Sequence, residues 1–229
     1  MNKEKLLYEN SKHALQSDNI IAITNRHLCS RPFMEQLERV CKLHPHAIVL
    51  REKDMPEAEY LSLARDVIAL CKKYDVQCML HSFINVTMEL EHPYIHLPLP
   101  ILEANVKKDL SNNYQQFFKV IGTSVHSVED AIKAEQLGAT YMTAGHIFAT
   151  DCKKGLPPRG LDFLKNVCDA VGIPVYAIGG INIASNDDST ASDSPSAYDA
   201  MPDISVPRLA DVIECGAAGG CIMSGMMRV

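Results

Sequence analysis

Short apolar runs alternate with longer stretches of helical period along most of the chain. Residues 20–24 (IIAIT) predict a strand, 33–43 (FMEQLERVCKL) a helix and 46–51 (HAIVLR) a second strand. In 57–74, Leu61, Ala64, Val67, Ile68 and Cys71 fall on one helical face. The alternation continues through QCMLHS (77–82), a short helical stretch, YIHLP (94–98) and a helix near 100–110. FKVIGTSV (118–125) then leads to a helix over 128–138, where Ser127 and Asp130 form the aspartate variant of a capping box. TYMTAGHIF (140–148), a helix near 161–171, IPVYAIGG (173–180), PRLADVIECG (207–216) and GGCIMSG (219–225) complete the series. Eight candidate strands separated by helices predict an α/β fold with a parallel sheet, and eight βα units favour a TIM (β/α)8 barrel. A doubly wound open sheet is the alternative, but no GxGxxG follows the first strand.

Two stretches break the pattern. Residues 184–205 (ASNDDSTASDSPSAYDAMPDIS) are polar and lack an apolar period, which predicts a loop insertion after strand seven. On the catalytic face of a barrel it is a lid or, more simply, a tolerated surface insertion. The sequence runs only four residues past Gly225, so no last helix is expected after strand eight, while 3–16 has helical character. That extra N-terminal helix is expected to cover the wall the last helix would have covered. The domain expectation is one barrel over residues 1–229 with the insertion near 184–205.

Composition narrows the function classes. Twenty-two Lys and Arg against 28 Asp and Glu give a net charge of -6, which argues against nucleic acid as a partner. No apolar run is long enough for a membrane span, and the polar N-terminus does not resemble a signal peptide. The 8 cysteines form no CxxC, so reduced thiols in a cytoplasmic protein are expected. With no Trp, stacking platforms for sugars or single strands are not indicated.

In a barrel the chemistry collects at the strand C-termini. Arg51 and Lys53 lie two apart, so they point to one face, and two cations at a barrel mouth call for an anionic ligand or internal carboxylates. Gly179 and Gly180 after strand seven, with Ser224 and Gly225 after strand eight, suggest a phosphate cradle; a tight turn without ligand explains the glycines equally well by themselves, and their position after strand seven tips the reading toward phosphate. Ser124 and His126 end strand five, His81 ends strand three, and His96 reads as a packed strand residue. His146, after strand six, is a candidate acid/base, although spacing alone favours a structural role for it and for His81 and His126. Lys153 and Lys154 follow Cys152 in a loop and either fold over an anion or stay solvated. No Cys–His–Asn arrangement supports a cysteine nucleophile.

VLREKD (49–54), IGTSVHSVEDAIKAEQLGATYMTAGHIFATDCKKGLPPRGLDFL (121–164), IPVYAIGGI (173–181) and GCIMSG (220–225) resemble the thiamine phosphate synthase/TenI family, in order over roughly 20–226. The resemblance implies a TIM barrel and a thiazole phosphate ligand. Synthases join a pyrimidine pyrophosphate to a thiazole phosphate using magnesium held by aspartates. Where they carry Gln-x-Arg-x-Lys, this chain has Val49-Leu50-Arg51-Glu52-Lys53. Their Asn-Asp-Arg is His81-Ser82-Phe83, and their His-Leu-Gly-Gln-x-Asp is His96-Leu97-Pro98-Leu99-Pro100-Ile101, so both metal aspartates are replaced. Their Thr-x-Thr-Lys is Thr150-Asp151-Cys152-Lys153.

GHIFATDCKKGLPPRG is similar instead to the TenI branch, the thiazole tautomerases, in which the His of Gly-His-x-Phe is the acid/base residue. The resemblance therefore implies His146 as catalyst of aromatisation of a carboxythiazole phosphate. It implies Gly179, Gly180, Ser224 and Gly225 around the phosphate, and Arg51, Lys53, Ser124 and Lys153 as further substrate contacts. No metal or cofactor is expected on this reading; magnesium is expected only for the alternative, a thiamine phosphate synthase. A third reading is a non-catalytic, regulatory thiazole-phosphate-binding protein. The expected partner is the small-molecule thiazole phosphate, without nucleic acid or membrane; barrels of this size also form homo-oligomers.

Overall fold

The computed structural model describes residues 19–108, 116–150, 153–184 and 205–229. The expected helix over 3–16, nearly all of the 184–205 insertion, and Asp151 and Cys152 lie outside the described residues. Eight parallel strands close a barrel in sequence order: β1 (Ile20–Ile23), β2 (Ala47–Leu50), β3 (Gln77–His81), β4 (Tyr94–Pro98), β5 (Val120–Val125), β6 (Tyr141–Gly145), β7 (Val175–Ile178) and β8 (Gly219–Ile222). Closure is made by β1 on β8, with Ile21 opposite Cys221. Helices α1 (Phe33–Lys42), α2 (Glu57–Lys73), α3 (Ile84–Glu89), α4 (Leu99–Lys108), α5 (Val128–Gln136), α6 (Gly160–Ala170) and α7 (Leu209–Glu214) fill the connections. This is the TIM barrel that the sequence pattern predicts, and the open-sheet alternative is excluded by closure.

The strands read as near-continuous apolar runs because both faces are covered. Successive side chains alternate. Ile21, Ile23, Ala47, Val49, Met79, Tyr141, Tyr176 and Cys221 fill the barrel interior. Ala22, Ile48, Leu50, Leu80 and Ala144 face outward into the helix layer. On α2 the buried residues Tyr60, Ala64, Val67 and Cys71 make the stripe of a surface helix. Tyr60 ties that helix to two strands: its hydroxyl donates to the Leu50 carbonyl at 2.7 Å and accepts from the His81 N–H at 2.9 Å.

Several expectations need adjustment. Arg51, Glu52 and Lys53 stand just beyond β2, and Ser224 and Gly225 just beyond β8, where the ladders have ended. Ser127 caps α5 by accepting from the Asp130 N–H at 3.0 Å, but the Asp130 carboxylate accepts from His126 N at 3.2 Å, so the box closes one residue early. Among the described residues, 223–229 form turns with no helix after β8. Gln36 on α1 donates to the Met226 and Val229 carbonyls at 2.7 and 3.1 Å, which anchors this segment over α1.

The seven described cysteines are free thiols. Among the described residues, no helix is long and apolar enough to cross a membrane.

Candidate active site at the barrel mouth

Strand alternation carries the polar residues to the C-terminal end of the barrel. Beyond the end of β2, Arg51 and Lys53 lie close enough to His81 and His96 to act on both, while the Glu52 side chain is buried against Thr24 and Arg26. Glu52 is buried, yet fully engaged. Its carboxylate accepts from the Thr24 hydroxyl at 2.6 Å, from the Arg26 N–H at 3.1 and 3.2 Å and from the Arg26 guanidinium at 3.0 Å. Thr24 Oγ1 in turn accepts from the Arg51 N–H at 2.9 Å. This clamp fixes the backbone from which Arg51 and Lys53 project. Sequence reasoning missed Glu52; its only signal was its place between two cations on an alternating segment.

Arg51, Lys53 and Lys153 have no carboxylate partner among the described residues. The Lys53 ammonium is pulled below its ordinary range by partial burial, then by Arg51 and by Lys153. Arg51 and Lys153, from two loops, thus both act on Lys53 with no carboxylate among the described residues to neutralise the three, which is the electrostatic form of an anion site. Beneath them lie His81 and His96, with ring centroids 5.7 Å apart. Burial pushes His81 down to about 2 and His96 down to about 3, with Lys53 and Arg51 adding to both. Both rings are therefore neutral near pH 7 and do not serve as cationic ligands for phosphate.

Beside this cluster a cavity of about 360 Å³ is lined by His126, His146, Lys153, Arg159 and the apolar Leu156 and Pro157. His146 follows β6 directly, and its Nε2 lies 3.4 Å from the Leu156 carbonyl, at the outer limit of a hydrogen bond. His126 Nδ1 lies 2.8 Å from the Gly145 carbonyl. A carbonyl only accepts, so Nδ1 carries the hydrogen, and in the neutral ring Nε2 keeps a free lone pair. The structural role that spacing favoured for His126 is thus incomplete: it is anchored at one nitrogen and lines the cavity.

The glycines after β7 have a reason that needs no ligand. A Cβ on Gly179, whose φ is +98°, would fall 2.3 Å from His146 Cβ. One on Gly180, at φ +71°, would fall 2.6 Å from the Ala149 carbonyl oxygen. The β6 loop is laced to this turn by Ile147 N to Ile178 O at 2.9 Å and Phe148 N to Gly179 O at 3.0 Å. Arg208, stacked 4.5 Å over Phe148, donates to the Gly180 carbonyl at 2.7 Å. Gly179 therefore makes room for His146. Ser224 Oγ reaches Asn182 Oδ1 at 3.3 Å. The N–H groups of Ser224 and Gly225 have no carbonyl acceptor among the described residues, which leaves them able to meet an anion.

The described strand ends do not fit a protein-held magnesium ion. Magnesium asks for carboxylate oxygens. Ser82 and Pro98 stand after and at the ends of β3 and β4, and the nearby Glu52 is already saturated. Among the described residues no cluster of three His, Cys, Asp or Glu is placed to hold a metal.

Comparison with known proteins agrees with this architecture. The thiamine monophosphate synthase (TMP-TENI) family model matches residues 20–193. The chain is 35% identical over 167 residues to a putative thiamine-phosphate synthase 2 of Aquifex aeolicus, covering 73% of this chain and 87% of that one. It is 31% identical over 163 residues to the thiamine-phosphate synthase of Pyrococcus furiosus, covering 71% and 75%. A solved thiamine phosphate pyrophosphorylase from Pyrococcus furiosus superposes with a TM-score of 0.69 at 26% identity, covering 93% of this chain and 89% of that one. With a match this long and a barrel of the same form, the chain belongs to the thiamine monophosphate synthase/TenI family.

Proposed function

We propose that this chain is a thiazole tautomerase-like isomerase of thiamine biosynthesis, aromatising a carboxythiazole phosphate by proton transfer through His146. The observation that carries the reading is the cavity in which His146 and His126 meet Lys153 and Arg159 with no carboxylate on its described wall. Such a pocket offers bases and cations, which suits moving a proton on an anionic substrate.

The reaction is a redox-neutral proton shift. A proton leaves the ring carbon, the double bonds rearrange, and a proton arrives at the exocyclic carbon. One imidazole can take the first proton and return it. His146 is assigned that role, with its position set by the Gly179 turn. His126, with its bare Nε2, is a neighbouring acceptor that assists orientation or proton relay. Arg51, Lys53 and Lys153 supply positive charge, and the backbone at Gly180, Ser224 and Gly225 is assigned to the phosphate. Product aromaticity supplies the driving force, so positioning and one proton carrier suffice.

The test is His146→Ala. Loss of isomerisation with thiazole phosphate binding retained supports the assignment; a variant that still turns over at the wild-type rate contradicts it. A thiamine phosphate synthase is the second reading, favoured by the names of the relatives. It predicts magnesium-dependent coupling of a pyrimidine pyrophosphate to a thiazole phosphate by the wild-type chain.

A further inference from the structure

The barrel floor holds a buried imidazole for which the proposed reaction has no use. His96 Nδ1 lies 2.8 Å from the Tyr141 hydroxyl, and its Nε2 lies 2.9 Å from Ser124 Oγ. Thr143 Oγ1 lies 3.0 Å from the same Ser124 oxygen. His96, Tyr141 and Thr143 are buried, whereas Ser124 is half-buried at the upper end of β5. Register brings them together. His96 pairs with Gly122, Gly122 with Tyr141, and Ser124 with Thr143. The bare Gly122 admits the Tyr141 ring, since a Cβ there would fall 2.2 Å from it.

The hydrogens in this chain can be counted. Burial raises the Tyr141 phenol well above its usual range, so it keeps its proton. Its hydroxyl has no other hydrogen bond among the described residues, so it donates to His96 Nδ1. A neutral imidazole has one N–H, which is then on Nε2 and donates to Ser124. Burial beneath Lys53 and Arg51 holds His96 neutral. The buried Thr143 hydroxyl, bonded among the described residues only to Ser124, donates to it as well. Both lone pairs of Ser124 are thereby filled, and its own O–H is left over for the mouth. The reverse polarity would strand a proton of Tyr141 or Thr143 inside the barrel, which an unsatisfied buried donor makes costly.

The geometry points to Tyr141 and His96 as positioning residues that hold Ser124 as an obligate hydrogen-bond donor, so that the ligand group meeting Ser124 is an acceptor, and beside the cations Arg51 and Lys53 that acceptor is an anionic oxygen of the carboxylate type. Arg51 and Lys53 lie close enough to depress His96 and would draw the same anion. That this oxygen is the carboxylate of a carboxythiazole phosphate rests on the proposed function; the polarity of the chain does not.

The experiment uses the full chain with nitrogen-15-labelled imidazoles. In the wild type, His96 is expected to resonate as the neutral Nε2–H tautomer, and in Tyr141→Phe its Nδ1 resonance is expected to move to that of a lone pair without a hydrogen bond; an Nδ1–H tautomer in the wild type overturns the proposal. Acetate is the ring-free probe. It is expected to shift the His96 Nε2–H resonance in the wild type and not in Ser124→Ala, and absence of any shift in the wild type overturns the proposal. With carboxythiazole phosphate, Ser124→Ala is expected to weaken binding about tenfold, against about twofold for the same thiazole phosphate lacking the carboxylate. Ser124→Thr, which keeps the hydroxyl, should restore the difference. Equal losses for the two ligands would overturn the carboxylate assignment. If the wild type binds neither thiazole, the proposed function fails, while the tautomer and acetate results still decide the polarity.

Discussion

The two halves of the barrel mouth are built by different means. The half over β2 to β6 presents side chains: Arg51 and Lys53 after β2, His81 and His96 below, and His126, His146 and Lys153 around the cavity. The half over β7 and β8 presents backbone: the left-handed Gly179 and Gly180 and the turn at Ser224 and Gly225. The first half carries its chemistry in the residue types it presents. The second is constrained by contact, because its glycines sit against the very loop that carries His146. The halves are therefore coupled where the β6 loop meets the β7 turn, by packing at Gly179 and Gly180 and by the hydrogen bonds that lace the two loops.

The sharpest way to break this picture is to put a side chain where the halves meet. Gly179→Ala would drive a Cβ into His146 at a φ that L-residues avoid. It is expected to cost on the order of 1–3 kcal/mol of stability and to lower kcat at least about a hundredfold by displacing a general acid/base. Thermal denaturation and steady-state kinetics check both. A variant with normal stability and rate would mean that the turn does not position His146.

The cationic side is tested more gently. Arg51→Ala or Lys53→Ala is expected to weaken binding of a thiazole phosphate about tenfold, as for loss of one charge-assisted hydrogen bond. Titration calorimetry at low and high salt should show the wild-type affinity falling more steeply with salt than that of either variant.

Stability should also follow pH through the same floor. His81 and His96 are depressed in the folded chain, to about 2 and about 3, from an ordinary value near 6.5. Above about pH 6.5 both states hold them neutral, and their contribution is constant. As pH falls below that, the unfolded chain takes up protons that the folded chain refuses, so stability declines toward about pH 3. Denaturant melts at pH 7 and pH 5 should show this decline, and His96→Gln should reduce it.

The smallest effect is expected on the backbone half. Ser224→Ala removes a hydroxyl that reaches Asn182 at 3.3 Å but leaves every N–H of the turn in place. Binding of the phosphorylated ligand should change by only about two- to threefold. A large loss would show that the side chain rather than the backbone holds the phosphate.

The sequence was informative where period and alternation act. All eight strands were legible as apolar runs because a parallel barrel buries both faces of each strand. Their ends were overread, as at Arg51 and Gly225, because polar mouth residues continue the pattern after the ladder has stopped. The nearness of Arg51 and Lys53 to one another followed from their spacing. The engagement of Glu52 with Thr24 and Arg26 did not, since those partners are 28 and 26 residues away in the chain. His96 was legible as a packed residue; its union with Tyr141 and Ser124 depends on the register of three strands. The glycine turn was read toward phosphate, and its close fit to His146 became visible only once the β6 and β7 loops were side by side.

The most direct measurement of the central claim is turnover of carboxythiazole phosphate by the chelator-treated wild-type chain, followed by formation of the aromatic ring. The account predicts a rate that is the same in chelator and in added magnesium. No isomerisation under either condition, together with magnesium-dependent coupling of the pyrimidine pyrophosphate, would contradict it.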